Sequence, residues 1–255
     1  MPYYKAPRGD LKRLAFLQRA AQTGNDDLLS GLNYLSEATV DTLNDQSNSF
    51  ASAYQMIAAR LGERMAVVDE CEVRLKYLQT RLRDLWEMLR RRSRRDGEPV
   101  NVLGYYQLPG DGNKPKPGNR DAWISLAEAV IAGEAEAISA GFPPADLPTI
   151  AQVQVALTAL RQSTADLQMA DRALDLAQAN IAALRPAADA AIAQVMDELR
   201  YNLRDMEPSS QRRVARTYGA EYSYRPDEVE DPVEDPLPPA GESLPEGEPL
   251  PAATA

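Results

Sequence analysis

A long segment without proline constrains this chain more than any other feature. Between Ser36 and Arg95 there is no proline, and Gly62 is the only glycine. Apolar side chains recur there at alternating intervals of three and four residues, which is the period of one helical face, whereas a strand would need period two. The stripe is interrupted only at Ser47 and Arg64. We therefore expect one continuous helix over about residues 36–95, packed along its apolar face against other helices.

A second array with the same period runs over about residues 148–206. Its apolar stripe extends from Ile150 to Leu199 and contains many alanines, which would let a neighbouring backbone approach closely. Pro186 lies inside it, and a proline removes one helical hydrogen bond. The stripe continues beyond Pro186 with a shift of phase. This favours a kinked helix over two separate helices.

The two arrays have similar lengths, so we expect them to lie side by side and antiparallel. The predicted fold class is all-α: an elongated helical bundle built on two long, coiled-coil-like helices, with shorter helices, extended arms and a disordered acidic C-terminal tail. We assign residues 1–225 to a single domain, with connecting loops at 97–120 and 141–147, and residues 226–255 to the tail.

Caps and breakers place the shorter helices. One is predicted from Asp10 to Gln22, ending at Gly24, with a restart after it and a bend near Ser36. A second is predicted over 121–140, with Asn119 or Asp121 as its N-cap and Gly141 as its stop. A third is predicted over about 210–218.

The negative charge of the chain lies mostly in the tail. The net charge is −10, and residues 226–255 hold nine acidic residues and no Lys or Arg. Without them, 29 acidic residues face 28 basic ones, so the body is nearly neutral. A segment so rich in Pro and Glu buries too little apolar surface to fold alone. We expect a solvated tail, with a docking peptide anchored by its leucines as the alternative.

The composition also limits the chemistry. The chain has no histidine and one cysteine, Cys71, which falls on the apolar stripe. His-dependent acid–base chemistry and disulfides within the chain are therefore excluded. We expect no enzyme activity, no cofactor and no metal site. The sequence also predicts a cytoplasmic location, because it shows no secretory signal and no membrane span.

Two arginine clusters are candidate polyanion-binding sites. Positive charge at the end of a helix complements the helix dipole, so a structural role is the main alternative. Docking of an acidic tail is a further alternative. The nearly neutral body argues against nucleic acid as a partner. The candidates are Arg90, Arg91, Arg92, Arg94 and Arg95 in one cluster, and Arg212, Arg213 and Arg216 in the other.

Three tyrosine pairs lie beside prolines or glycines in segments that we expect to be extended. Such aromatic arms could pack on their own bundle or clasp a neighbouring subunit. The pairs are Tyr3 with Tyr4, Tyr105 with Tyr106, and Tyr222 with Tyr224.

We therefore expect a structural or scaffolding protein that self-assembles into an oligomer or filament through its helical faces and these arms. The expected partner is a second copy of the chain, and a further protein could dock the acidic tail. The alternative function is a polyanion-binding module that uses the arginine clusters. A membrane-active helical toxin is a weaker alternative, because no convincing apolar hairpin is present.

Overall fold

The computed structural model describes residues 2–110, 113–226 and 228, and it confirms the all-α class. Apart from Pro226 and Glu228, the acidic tail predicted to be disordered lies outside the described residues. The elements in chain order are β1 (Tyr3–Lys5), α1 (Asp10–Leu29), α2 (Glu37–Arg95), α3 (Val102–Tyr105), α4 (Arg120–Ser139), α5 (Ile150–Asn202), α6 (Pro208–Thr217) and β2 (Glu221–Ser223).

The two long helices, α2 and α5, confirm the main prediction. Helix α5 passes through Pro186 without ending, so the alternative of two separate helices is wrong. The helices run antiparallel. Arg64 Nε of α2 donates to Asp171 Oδ1 of α5 at 2.5 Å, and Cys71 Sγ, further along α2, lies 3.8 Å from Thr164 Oγ1, earlier on α5.

Contacts divide the chain into two compact units. The terminal unit contains Met1–Asn44 and Ala190–Ala255, and the central unit contains Asp45–Asp189. Helices α2 and α5 contribute residues to both. The prediction of a single domain over residues 1–225 stays a prediction.

Helix α1 corrects the prediction of a stop at Gly24. The helix continues to Leu29, and Gly24 is buried within it. A Cβ atom at Gly24 would lie 2.9 Å from Val40 Cγ2. The glycine therefore serves close packing of α1 on α2 rather than termination. The helix ends just before Gly31, whose φ of +75° suits glycine.

The core of the central unit lies where α2, α3, α4 and α5 meet. Leu78, Leu82, Leu85 and Leu89 of the α2 stripe are fully buried there. Helix α4 begins as predicted, because the side chain of Asn119 accepts a hydrogen bond from the Ala122 N–H at 2.8 Å. It ends before Gly141, which has a φ of +88°.

The N-terminal strand pairs with the strand that precedes the acidic tail, within the terminal unit. Strands β1 and β2 are antiparallel, with Tyr4 opposite Tyr222. The rings of these tyrosines meet edge to face at 6.2 Å. The prediction of extended arms at both ends is thus confirmed. It is wrong for Tyr105 and Tyr106, because Tyr105 ends helix α3 and Tyr106 is fully buried directly after it.

Candidate functional site

Aromatic and cationic side chains meet beside the two-stranded sheet of the terminal unit. The Arg216 guanidinium of α6 lies 5.7 Å from the ring centre of Tyr222 and 5.9 Å from that of Tyr224. It also donates a hydrogen bond to the Tyr224 hydroxyl. These predicted assembly residues therefore have partners within their own chain. The reason is that α6 delivers Arg216 to the end of the strand that carries them.

The charge around Tyr222 is strongly positive. Burial raises the pKa of the Tyr222 hydroxyl, although the nearby Arg200, Arg212 and Arg216 act in the opposite direction. The positive charges of three guanidinium groups therefore favour the ionised form of one half-buried hydroxyl. Arg213, the remaining member of this predicted cluster, is exposed on α6.

A groove beside this cluster combines an apolar floor with a basic rim. Its volume is about 310 Å³. Met196, Leu199 and Leu203 form the buried floor, and Arg200 and Arg212 lie at the rim. We call it the terminal groove. Pro2 and Tyr4 also line it, so the N-terminal segment forms part of its wall.

A second cavity of the terminal unit, of about 440 Å³, lies beside Glu221, the first residue of β2. It is lined by Lys5, Lys12, Arg19 and Arg216 together with one acidic residue, Glu221. Lys12 Nζ lies 3.3 Å from a carboxylate oxygen of Glu221. The cavity is thus basic, and part of its charge is already compensated.

The arginine cluster at the end of α2 is partly structural. The Arg92 guanidinium donates to the carbonyl oxygens of Pro143 and Pro144, each at 3.0 Å. It also pairs with Glu98 at 2.7 Å. This side chain therefore ties the end of α2 to the loop after α4. Arg90 is half-buried, and Arg91, Arg94 and Arg95 are exposed. Polyanion binding by the exposed members stays a prediction.

A buried polar network in the central unit was not anticipated. Trp86 Nε1 donates to the Tyr106 carbonyl oxygen at 2.9 Å. The Tyr106 hydroxyl donates to Glu134, whose other oxygen accepts from the Ala145 N–H at 3.0 Å. Burial and the hydrogen bond to Glu134 raise the pKa of the Tyr106 hydroxyl. The Tyr106 hydroxyl and both Glu134 oxygens thus have hydrogen-bond partners within the protein.

The spacing of apolar residues in α4 could have identified Glu134 as a buried carboxylate. The buried positions of α4 are spaced by alternating fours and threes, and Glu134 occupies one of them. A carboxylate at such a position requires buried donors. The buried side chains of that stripe are Trp123, Ala127, Val130, Glu134 and Ala137.

One exposed face of α5 is unusually apolar. Val155, Met169 and Leu176 are 68%, 66% and 72% exposed. With the exposed Gln162 they recur every seven residues, which places them on one side of the helix. We call these four residues the outer stripe. A shallow depression of about 550 Å³ around Val155 is lined by alanine, threonine and glutamine neighbours.

Charge is sparse beside the outer stripe. Neighbours on a helix surface lie three and four positions away. Among those neighbours only Asp166 and Arg172 are charged. The full set is Ala151, Gln152, Thr158, Ala159, Ala165, Asp166, Arg172, Ala173, Ala179 and Asn180. By contrast, the exposed surface of α2 around Val73 carries Asp69, Glu70, Glu72, Arg74 and Lys76.

Neither a metal-ligand cluster nor a membrane-spanning helix is present in the described residues. Over residues 2–110, 113–226 and 228, no three His, Cys, Asp or Glu side chains gather as a metal site would require. In the same part of the chain, no helix is both long and apolar enough to span a membrane. Cys71 is buried between α2 and α5. Comparisons with protein-family models, curated proteins and solved structures give no match.

Proposed function

We propose that this chain is a structural, self-associating helical protein, and that the outer stripe of α5 is the contact between two copies. The observation that carries this proposal is a seven-residue pattern of exposed positions, three of them large and apolar and one of them Gln162, on a helix already packed on its opposite side. Exposed apolar faces with little charge are typical of interaction surfaces rather than of solvated helix surfaces.

A second copy fits the outer stripe because the face is complementary to itself. In an antiparallel pair of α5 helices related by a two-fold axis at Met169, residues equally far before and after Met169 face each other. Gln162 then meets Leu176 of the other copy. Asp166 meets Arg172 of the other copy, twice by symmetry.

Small residues support the same register. Ala165 then faces Ala173, and Ala159 faces Ala179, so the two backbones can approach closely without a clash. The large side chain of Met169 lies on the axis, where Met can adapt to an irregular gap. This contact uses the same patch on both copies, so it closes on itself and gives a dimer.

The arms have a different role in this proposal from the one expected from sequence. Because β1 pairs with β2 in the same chain, the tyrosines at the two ends stabilise the terminal unit. We therefore assign self-association to a helical face. The sequence analysis expected both helical faces and arms to contribute, and this proposal keeps the helical face.

Sedimentation or light scattering of purified variants tests the proposal. We expect the unmodified chain to dimerise below about 100 µM, and Met169→Glu combined with Leu176→Glu to weaken the dimer at least about tenfold, since each tenfold is about 1.4 kcal/mol. Met65→Glu is the matched control, because Met65 of α2 is 60% exposed. A monomeric unmodified chain at that concentration, or an equal loss with Met65→Glu, would overturn the proposal.

A further inference from the structure

We propose that residues 229–237 of the C-terminal tail bind in the terminal groove of the same chain. The inference concerns the terminal unit and does not rest on the proposed association through α5. It follows from the chemistry of the groove, from that of the segment, and from the place at which the described chain ends.

The groove offers an apolar floor within a positive field. Its floor side chains, Met196, Leu199 and Leu203, are buried on α5 and just after it. Arg200 and Arg212 flank the floor. A fitting occupant therefore carries small apolar anchors between negative charges. The floor is already covered, but Pro2, Tyr4 and Tyr222, which also line the groove, are only half-buried. A purely polar anion would leave their apolar surface exposed, and a purely apolar chain would not use the arginines.

The segment directly after the last described residue has this composition. Residues 229–237 read VEDPVEDPL. Val229, Val233 and Leu237 recur every four residues, with two acidic residues after each valine. The segment contains no Lys or Arg. Pro232 and Pro236 favour an extended backbone and reduce the entropy lost on docking.

The exit of the chain lies beside the groove. The Arg225 N–H donates to a carboxylate oxygen of Glu228 at 3.0 Å, and the Glu228 N–H donates to the Arg225 carbonyl oxygen at 3.0 Å. This turn follows directly after Tyr224. Tyr222 of β2, shortly before this turn, lines the groove, and so does Pro2.

A short tether makes docking within one chain favourable. The first anchor, Val229, directly follows the last described residue, so the local concentration of the segment at the groove is of the order of millimolar. The second basic cavity fits less well, because one of its own lining residues, Glu221, is acidic and pairs with Lys12 there, whereas the charged residues that line the terminal groove are both basic.

Paramagnetic NMR on the full-length chain tests this inference. Cys71→Ala removes the only cysteine, and Ala240→Cys attaches a nitroxide just beyond the segment. We expect the label to broaden the amide signals of Leu199, Leu203 and Ala215. We expect this broadening to disappear at about 1 M salt, where the Debye length falls to about 3 Å. Absence of broadening at low salt would overturn the inference.

A mixed sample separates the same chain from a second copy. In it, the nitroxide is on chains without ¹⁵N and the ¹⁵N is on chains without nitroxide. We expect no broadening in this sample. Equal broadening in it would show that the tail of a second copy fills the groove, and docking within the same chain would be wrong.

Paired substitutions test the specificity of the groove. Arg200→Gln with Arg212→Gln should abolish the broadening, whereas the exposed Arg213→Gln should preserve it. On the segment, Val233→Asp with Leu237→Asp should also abolish it without touching the folded body. Leu244→Asp with Leu250→Asp, further along the tail, is the matched control and should have no effect. Equal loss with either control would contradict a specific site.

Discussion

The carboxylate of Glu198 on α5 accepts a hydrogen bond from the backbone N–H of Ser36, the residue before α2, at 2.8 Å. It also accepts hydrogen bonds from Thr39 Oγ1 and Ser36 Oγ. A helix begins with unpaired N–H groups and a partial positive charge, both of which a carboxylate satisfies. Glu198 thus caps α2 from the neighbouring long helix, and it holds the antiparallel pair together in the terminal unit.

This cap predicts a loss of stability when Glu198 is removed. Glu198→Ala should lower the free energy of unfolding by about 1–2 kcal/mol at pH 7, a typical cost for losing a helix cap. Chemical denaturation measures the change. Asp197→Ala is the control, because Asp197 is exposed and pairs with Arg200 on its own helix. It should change the stability by less than about 0.5 kcal/mol. Equal effects would contradict the capping role.

The lowered pKa of Glu198 leads us to expect that the stability of the protein depends on pH. Burial by itself would raise the pKa of Glu198, but the hydrogen bonds from Thr39, Ser36 and Gln194 outweigh it and lower the pKa. The folded-state pKa therefore lies below the unfolded value of about 4.3. The stabilisation is present above that value and is lost as the pH falls through the folded pKa. Glu198→Gln should flatten this part of the acid unfolding curve.

Tyr106→Phe should destabilise the central unit through Glu134. The substitution leaves one buried carboxylate oxygen without its hydroxyl donor, at a cost of about 1–3 kcal/mol. Urea unfolding measures it. Tyr105→Phe is the matched control: Tyr105 packs its ring against Phe142 at 6.0 Å, so losing its hydroxyl should cost less. A Tyr106→Phe variant as stable as the control would show that the network contributes nothing.

Two glycine-to-alanine substitutions should change the stability in opposite directions. A Cβ atom at Gly133 of α4 would lie 1.7 Å from the Tyr105 carbonyl oxygen, so the backbone of α3 must shift. Gly133→Ala should cost at least about 1–3 kcal/mol. Gly62 of α2 has no atom within 4 Å of such a Cβ. Gly62→Ala should therefore stabilise by about 0.5–1 kcal/mol. Thermal unfolding of both variants checks the pair.

A charge exchange tests the register of the proposed dimer. Asp166→Arg or Arg172→Asp alone places like charges opposite each other twice, and should weaken association about five- to tenfold. The two changes together should restore it. Sedimentation equilibrium measures the three variants. If the double variant associates even more weakly than either single variant, the pairing of Asp166 with Arg172 is wrong. Whether the outer stripe mediates association at all is tested separately by Met169→Glu combined with Leu176→Glu.

Periodicity along the sequence was sufficient to predict the main architecture. The spacing by threes and fours defined α2 and α5 within a few residues, because a helix face is a local property of the sequence. Asn119 and Gly141 likewise located the ends of α4 from their own backbone preferences. Gly24 was misread for the opposite reason. Its role depends on Val40, which only the packed helices bring against it.

The contacts between distant segments were decided by the tertiary structure alone. Tyr4 and Tyr222 come from opposite ends of the chain, and nothing local selects one as the partner of the other. From the sequence, Tyr106 reads as a loop tyrosine. In the structure it follows α3, and its hydroxyl donates a hydrogen bond to Glu134. The outer stripe of α5 became visible only when burial separated its two faces, because a helix with many alanines shows apolar residues on more than one side.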